Sequence, residues 1–252
     1  MNSTTRDAIL VIGAGGRTGR HVLRYLCAAA VPVIACVRRA DRLAGERGLA
    51  SAEVAVADLT QPHGLAPLLA RATQVVYLAG SERRGLAPGA WQLEVDGLST
   101  CLELAQRQGF GGRWIYVGHS GQAPTGSVAW SETRWRELKQ AAEQAIMGSA
   151  VDYFILRVGR IVDPVAAEPL VRVSQRPGSA GDLPANVLGF LLTGAALAGA
   201  APRTSASAAI DAAGLRLQAA VQSFARLRSD PPLAGLDLAA STVSAHGRRP
   251  SR

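Results

Sequence analysis

The residues with the clearest chemical potential are Gly13, Gly15, Gly16 and Gly19, in the run Gly13-Ala14-Gly15-Gly16-Arg17-Thr18-Gly19. A phosphate can approach the main chain only where side chains are absent. A helix opening at Arg17 would aim its unpaired N–H groups and positive dipole end at such a phosphate. The turn, Thr18 included, therefore reads as a pyrophosphate cradle. At the end of the next apolar run stand Arg38 and Arg39, where a site for NAD would place an acidic residue on the ribose hydroxyls. Guanidinium groups suit a 2′-phosphate instead, and Arg17 is placed to share it, so the expected cofactor is NADP(H), with NAD(H) second. The ordinary alternatives are a turn that only packs helix on strand and two more surface arginines in an arginine-rich chain. Asp41 lies slightly too far along to serve as the missing acid unless the loop bends back.

Three further residues could take part in proton or ribose chemistry: His119, Ser120 and Lys139. Lys139 is the only lysine in a chain whose other basic residues are all arginine. A compact ammonium can donate to ribose hydroxyls that a planar guanidinium fits poorly. The plain alternative is a solvated helix residue paired with Glu143 at i+4. His119 is of the residue type that can act as acid or base near neutral pH and would stand where a strand meets the cleft, although a lone loop histidine is commonly just hydrogen-bonded or solvated. Cys27, Cys36 and Cys101 are unclustered, which points to a reduced, cytoplasmic protein and offers no metal site.

The elements that must position these residues follow from periodicity and punctuation. Strands are predicted over Ala8–Ile12, Val33–Val37, Glu53–Ala57, Gln74–Leu78, Arg113–Val117 and Asp152–Arg157. Helices are predicted over Val22–Ala30, Gly64–Ala72, Trp91–Gln108, Trp130–Met147 and Ala185–Ala200, the third with Leu93, Gly97, Cys101, Leu104 and Ala105 toward the sheet. Alternating strands and helices imply an α/β fold, a doubly wound parallel sheet of Rossmann type in three αβα layers. After Gly159 comes a Pro-punctuated loop to about Pro184. An Ala-rich amphipathic stretch, Ala208–Leu227, and a Ser-, Pro-, Gly- and Arg-rich end follow the last helix. The division expected is residues 1–202 as the dinucleotide-binding domain with a small substrate or partner region, and 203–252 as a helical extension and disordered tail.

With 252 residues and 48% hydrophobic content the chain has ample material for one large core. The net charge of +8 is spread over scattered arginines without a dense basic run or an aromatic platform, so nucleic acid is not the expected partner. The apolar segment Val187–Ala201 is shorter than the roughly 20 residues that span a bilayer, which makes a buried helix the expectation and a membrane partner unexpected.

Beyond the turn GAGGRTGR and Arg38-Arg39, Asp58-Leu59 follows strand three and Leu78-Ala79-Gly80 follows strand four. Arg113-Trp114-Ile115-Tyr116-Val117, Lys139-Gln140-Ala141-Ala142-Glu143 and Ile155-Leu156-Arg157-Val158-Gly159 come later in the same order. Together these blocks, from about Ala8 to Ala200, resemble the atypical short-chain dehydrogenase/reductases of the NAD(P)H-binding, NmrA-like kind. The resemblance implies that Asp58 and Leu59 border the adenine and that Ala79 and Gly80 pass close to the adenosine half. In residue terms alone Asp58 could equally cap a turn, and Ala79-Gly80 could be only a tight strand exit.

The superfamily's Tyr-x-x-x-Lys pair reads Trp135-Arg136-Glu137-Leu138-Lys139 here, so the titratable phenol is missing while the lysine remains on the same helix face. The family's serine after strand five is displaced: Gly118-His119 precede Ser120. Two functions fit. One is an NADPH-dependent oxidoreductase of a small organic substrate, with His119, Ser120 or water as proton donor and a pocket from Ser81–Ala90, Gln122–Ser131 and Ile161–Gln175. The other is a non-catalytic dinucleotide-binding redox sensor, assembly factor or accessory subunit, with a protein partner on the C-terminal tail.

Overall fold

A computed structural model describes residues 7–80, 89–119, 130–159, 161–164, 170–174, 183–197, 204–210 and 215–216. Its first half is a run of strand–helix units. β1 (Ala8–Ile12), α1 (Arg17–Ala28), β2 (Val33–Val37), β3 (Ala52–Val56), α2 (Ala66–Arg71) and β4 (Ala72–Tyr77) come first. α3 (Gly97–Arg107), β5 (Arg113–His119), α4 (Trp130–Gly148) and β6 (Asp152–Val158) complete the set. The order β3-β2-β1-β4-β5-β6, parallel throughout, is the doubly wound sheet that the sequence predicts.

Side-chain alternation along the strands divides the core in two. Ile9, Val11, Val33, Ala35, Val37, Val76 and Ile115 pack on α1 and on α5 (Ala185–Leu197). Leu10, Ile12, Ile34, Val75, Tyr77, Trp114 and Tyr116 pack under α2, α3 and α4. The aromatic content is concentrated on this second face, where Tyr77 stacks on Trp114 at 5.6 Å and Phe110 meets Trp114 edge-on at 6.4 Å. α5 is buried, as expected. Its Gly189 lies where an added Cβ would come within 2.6 Å of the His21 Cβ on α1. Among the described residues no helix is long and apolar enough to cross a membrane.

Two expectations are corrected. The stretch read as one loop from Gly159 to Pro184 contains β7 (Ile161–Val162), β8 (Leu170–Ser174) and β9 (Leu183–Pro184). The alternation Leu170-Val171-Arg172-Val173-Ser174 is the period-two signal of a strand. The region 203–252, read as a helical extension outside the domain, instead contributes β10 (Thr204–Ile210) and β11 (Leu215–Arg216) to the sheet. β10 lies parallel to β6, with Thr204 opposite Phe154, and β8 joins it antiparallel. The open ladder of β6 satisfies the backbone of this small Ser/Ala run, which overrides alanine's helical preference. The rest of 203–252 lies outside the described residues.

Candidate functional site

The turn between β1 and α1 is shaped by contacts that only glycine tolerates. Gly13 has φ +83°, and a Cβ there would sit 2.5 Å from the Ala79 nitrogen. At Gly19 a Cβ would lie 2.5 Å from the Gly13 carbonyl oxygen, so α1 presses directly on the turn. The N–H groups of Gly13 and Ala14 both donate to the Cys36 carbonyl at 3.1 Å, and Gly16 N–H donates back to the Gly13 carbonyl at 3.0 Å. Gly16 is the N-cap of α1, and no side chain caps that helix. Its first N–H groups therefore keep their hydrogen-bonding capacity for an anion.

Around this turn the predicted residues separate into several roles. Thr18 is buried inside the helix start. Gly15 sits against the Arg42 side chain, at 2.7 Å for an added Cβ, and Arg20 binds the Gly15 and Arg42 carbonyls and the Glu46 carboxylate. Arg38 and Arg39 are exposed directly after β2. Arg39 is engaged by Asp41, its Nε donating to Oδ1 at 3.0 Å and its Nη2 to Oδ2. That pairing raises the Arg39 pKa and lowers that of Asp41. Arg17 does not join the two arginines: it donates to the Ile161 carbonyl at 2.9 Å and lies 3.5 Å from Asp163, linking the turn to the segment after β6.

Asp58 accepts from Thr60 N–H at 2.9 Å and from the Thr60 hydroxyl at 2.8 Å. These bonds hold its carboxyl below the usual range, the backbone one foremost, so its side chain stabilises its own turn. Leu59 is buried in the core, and its carbonyl would come within 3.2 Å of a Cβ at Gly97. Ala79 presents its backbone to Gly13, and Gly80 lies beside Glu94, at 3.4 Å from the carboxyl carbon for an added Cβ.

The other half of the site is built from charge pairs. Lys139 Nζ lies 2.8 Å from Glu94 Oε2, with side chains only 16% and 2% exposed, and 3.5 Å from the Tyr116 hydroxyl. Burial alone would lower the lysine pKa; Tyr116 and the Glu94 carboxylate outweigh burial and raise it. Tyr116 is fully enclosed, which pushes its phenol up in spite of the ammonium.

The alternative in which Lys139 pairs with Glu143 on a solvated face does not hold. Glu143 binds Arg157 on β6, at 2.8 Å from Nε and 2.7 Å from Nη2. Gly118 makes room for that carboxylate, since a Cβ there would fall 2.0 Å from Oε1. His119 reaches the carboxyl end of β5, its ring edge-on to Trp135 with centroids 4.4 Å apart. Ser120 and most of the three expected pocket segments lie outside the described residues.

Sequence reasoning missed Glu94. It stands on a π turn, Gln92–Asp96, that opens the helix predicted over Trp91–Gln108. The signal was available: residue 94 falls on the helical stripe of Gly97, Leu98, Cys101 and Ala105, all buried, and a carboxylate on that stripe calls for a cation. The extra residue of a π turn commonly marks a functional position.

Comparison with known proteins identifies the fold and the family. No curated protein sequence matches the chain. Solved structures share the fold at low identity. A Bacillus halodurans protein described as a candidate NAD-dependent epimerase/dehydratase is 18% identical, with 86% of this chain and 99% of that one covered at a TM-score of 0.70. ChuY, an anaerobilin reductase from Escherichia coli O157:H7, is 21% identical over 81% of this chain and 98% of its own, at 0.64. A Veillonella parvula short-chain dehydrogenase/reductase in complex with NADP is 15% identical over 83% and 97%, at 0.62. The model for NAD(P)H-binding proteins matches residues 13–184, more than half of the sequence, and the chain belongs to that NAD(P)H-binding family.

Proposed function

We propose that this protein is an NADP(H)-preferring oxidoreductase of the atypical, NmrA-like short-chain dehydrogenase/reductase kind, acting on a small organic substrate in the cytoplasm. The observation that carries the reading is the buried Lys139–Glu94 pair, on the same sheet edge as an uncapped glycine turn. The ion pair keeps the single lysine charged and fixed at the position the superfamily uses for ribose contact. The names of two neighbours, a reductase and an NADP-bound dehydrogenase/reductase, point the same way.

The bound dinucleotide supplies a hydride; the chain supplies position and charge. In this reading the Gly13–Gly19 turn and the α1 N-terminus hold the pyrophosphate, and Arg38 with Arg39 holds the 2′-phosphate. Ala79 and Gly80 let the adenosine half pass close to the backbone. Lys139 donates to ribose hydroxyls, and Glu94 orients it. Proton delivery falls to His119, Ser120 or water, because Trp135 has no titratable proton and the Tyr116 phenol is shut away. Positioning then accounts for most of the rate.

Trp135, packed on His119 where the superfamily has its tyrosine, favours a second reading as a non-catalytic dinucleotide sensor, assembly factor or accessory subunit with a partner on the C-terminal tail. Because β10 and β11 belong to the sheet, a test of the tail should delete residues beyond Arg216 rather than beyond Pro202. The deciding experiment is a fluorescence titration with NADPH and NADH, followed by cofactor oxidation with quinones, flavins and carbonyl compounds. Tight NADPH binding with turnover supports the enzyme, binding without turnover supports the sensor, and no binding of either nucleotide at millimolar concentration rejects both.

A further inference from the structure

Among the described side chains, the inward side of α4 carries three ionic residues, and two of them are balanced. Lys139 meets Glu94 and Glu143 meets Arg157. The third is Arg136. Its Nε and Nη2 are shut off from solvent and have no hydrogen-bond partner among the described residues. The residue as a whole is part-exposed, so its permanent charge still meets solvent, but two hydrogen-bond donor atoms enclosed without an acceptor are costly. Among the described side chains, neither Glu94 nor Glu143 is free to answer it, since each already holds its own cation.

Position says where the missing anion belongs. Arg136 precedes Lys139 by three residues and Glu143 by seven, which puts it on the face those side chains share, about 10 Å nearer the start of the helix than Glu143. α4 begins beyond the carboxyl end of β5, and its Trp135 ring touches His119 there. The guanidinium is thus at the carboxyl ends of β5 and β6, where ligands of such sheets sit. β1, which carries the glycine turn, lies two strands from β5, about 10 Å away. The cofactor's pyrophosphate is therefore not the group Arg136 awaits. The contrast with Arg113, whose Nε and Nη2 are also buried without a partner among the described residues, is one of place: it opens β5 at the opposite edge, with Asp152 nearby to favour its charge.

We propose that Arg136 anchors an anionic group of the substrate, a carboxylate, over the carboxyl ends of β5 and β6 beside the His119–Trp135 pair. The planar fork of arginine matches a carboxylate in bidentate fashion, which makes acids rather than their neutral esters the substrate class. The proposal rests on the oxidoreductase reading for its word substrate, but the binding it claims needs no turnover.

The test uses the full chain, with and without NADPH, and three acids as probes: phenylglyoxylate, benzoate and indole-3-acetate, each against its methyl ester. The expected result has two parts. Arg136→Met raises the melting temperature of the ligand-free protein, because two buried donor atoms without an acceptor are removed. Wild type binds at least one acid about tenfold or more tighter than Arg136→Gln does, while the ester binds both alike. A lower melting temperature in Arg136→Met, equal acid affinity in wild type and Arg136→Gln, or no acid bound by wild type at tens of millimolar would each overturn the proposal. NADPH titration of the same samples reads separately. Its failure would reject the oxidoreductase reading while leaving the comparison of acid with ester, made without cofactor, to judge Arg136.

Discussion

The two halves of the carboxyl edge are made by different means. Around β1 and β2 the site is main chain: glycines packed against Ala79 and the Gly13 carbonyl, with charged side chains only at the rim. Around β4, β5 and β6 it is side chain, with Glu94–Lys139 and Glu143–Arg157 drawn together from separate elements and largely buried. A pyrophosphate asks only for bare N–H groups, so one backbone shape serves. Holding a ribose and a substrate takes charges at fixed points, and inside a protein each such charge needs a partner.

The largest effect comes from giving the backbone half a side chain. Gly13→Ala combines a positive φ with a 2.5 Å approach to the Ala79 nitrogen and should cost about 3–5 kcal/mol, with loss of dinucleotide binding. Chemical denaturation and NADPH titration check both; near-native stability would mean the turn can open at little cost. Next comes Lys139→Met, which strands the Glu94 carboxylate and should cost about 3–5 kcal/mol at the upper limit, with turnover reduced as well. Glu94→Leu in the same chain should restore most of the stability and none of the turnover. If the double variant is no more stable than the single one, the two side chains are not a pair in solution.

The backbone half was legible because its rule is local. Glycine spacing between a strand and a helix can be read along the chain, and so can the alternation that sets β1 to β6 in parallel order. The charged half was only half legible. Lys139 announced itself as the single lysine, but its partner lies forty-five positions earlier, on a turn of a helix that pattern alone extends smoothly from Trp91. Arg17 was misplaced for a related reason: its partners, Ile161 and Asp163, follow a strand 144 residues away at the nearer of the two. Likewise the sheet's far edge depended on β10 finding the free side of β6, a pairing that a Ser/Ala run does not advertise.

Two smaller effects sharpen the contrast at the rim and beneath it. Arg38→Ala with Arg39→Ala should weaken NADPH binding by about 30-fold, near 2 kcal/mol, and NADH binding hardly at all, because only the former carries the extra phosphate. Equal losses in the two titrations would remove the NADP(H) preference. In the buried half, Lys139 has a raised pKa, so the stability it contributes is fully present below the ordinary lysine pKa and is lost as pH rises from there through the raised value. With Glu94→Gln, burial is opposed less strongly and the lysine pKa is raised less, so the variant should start less stable and lose less stability as pH climbs through the alkaline range. Unfolding measurements from pH 8 to 12 that give wild type and variant the same stability and the same alkaline loss would show that Glu94 does not hold the charge.

The smallest effect separates the two rim arginines. Arg39 is already bound by Asp41, whereas among the described residues Arg38 has the more distant Asp58 as its charged neighbour. A 2′-phosphate must therefore compete with a carboxylate for Arg39, and it also feels that carboxylate as a like charge. The Asp41 pKa is lowered by its Arg39 hydrogen bond, so the competition persists throughout the neutral range and relaxes only in acid, below the usual carboxylate pKa. Asp41→Asn removes the repulsion and loosens the grip at once. Exposed ion pairs are worth little, so NADPH should bind only about two- to threefold tighter, with NADH unchanged. A loss of NADPH affinity instead would show that Asp41 orients Arg39 for the phosphate, and the rim would then share with the buried half the device of an acid that positions a base.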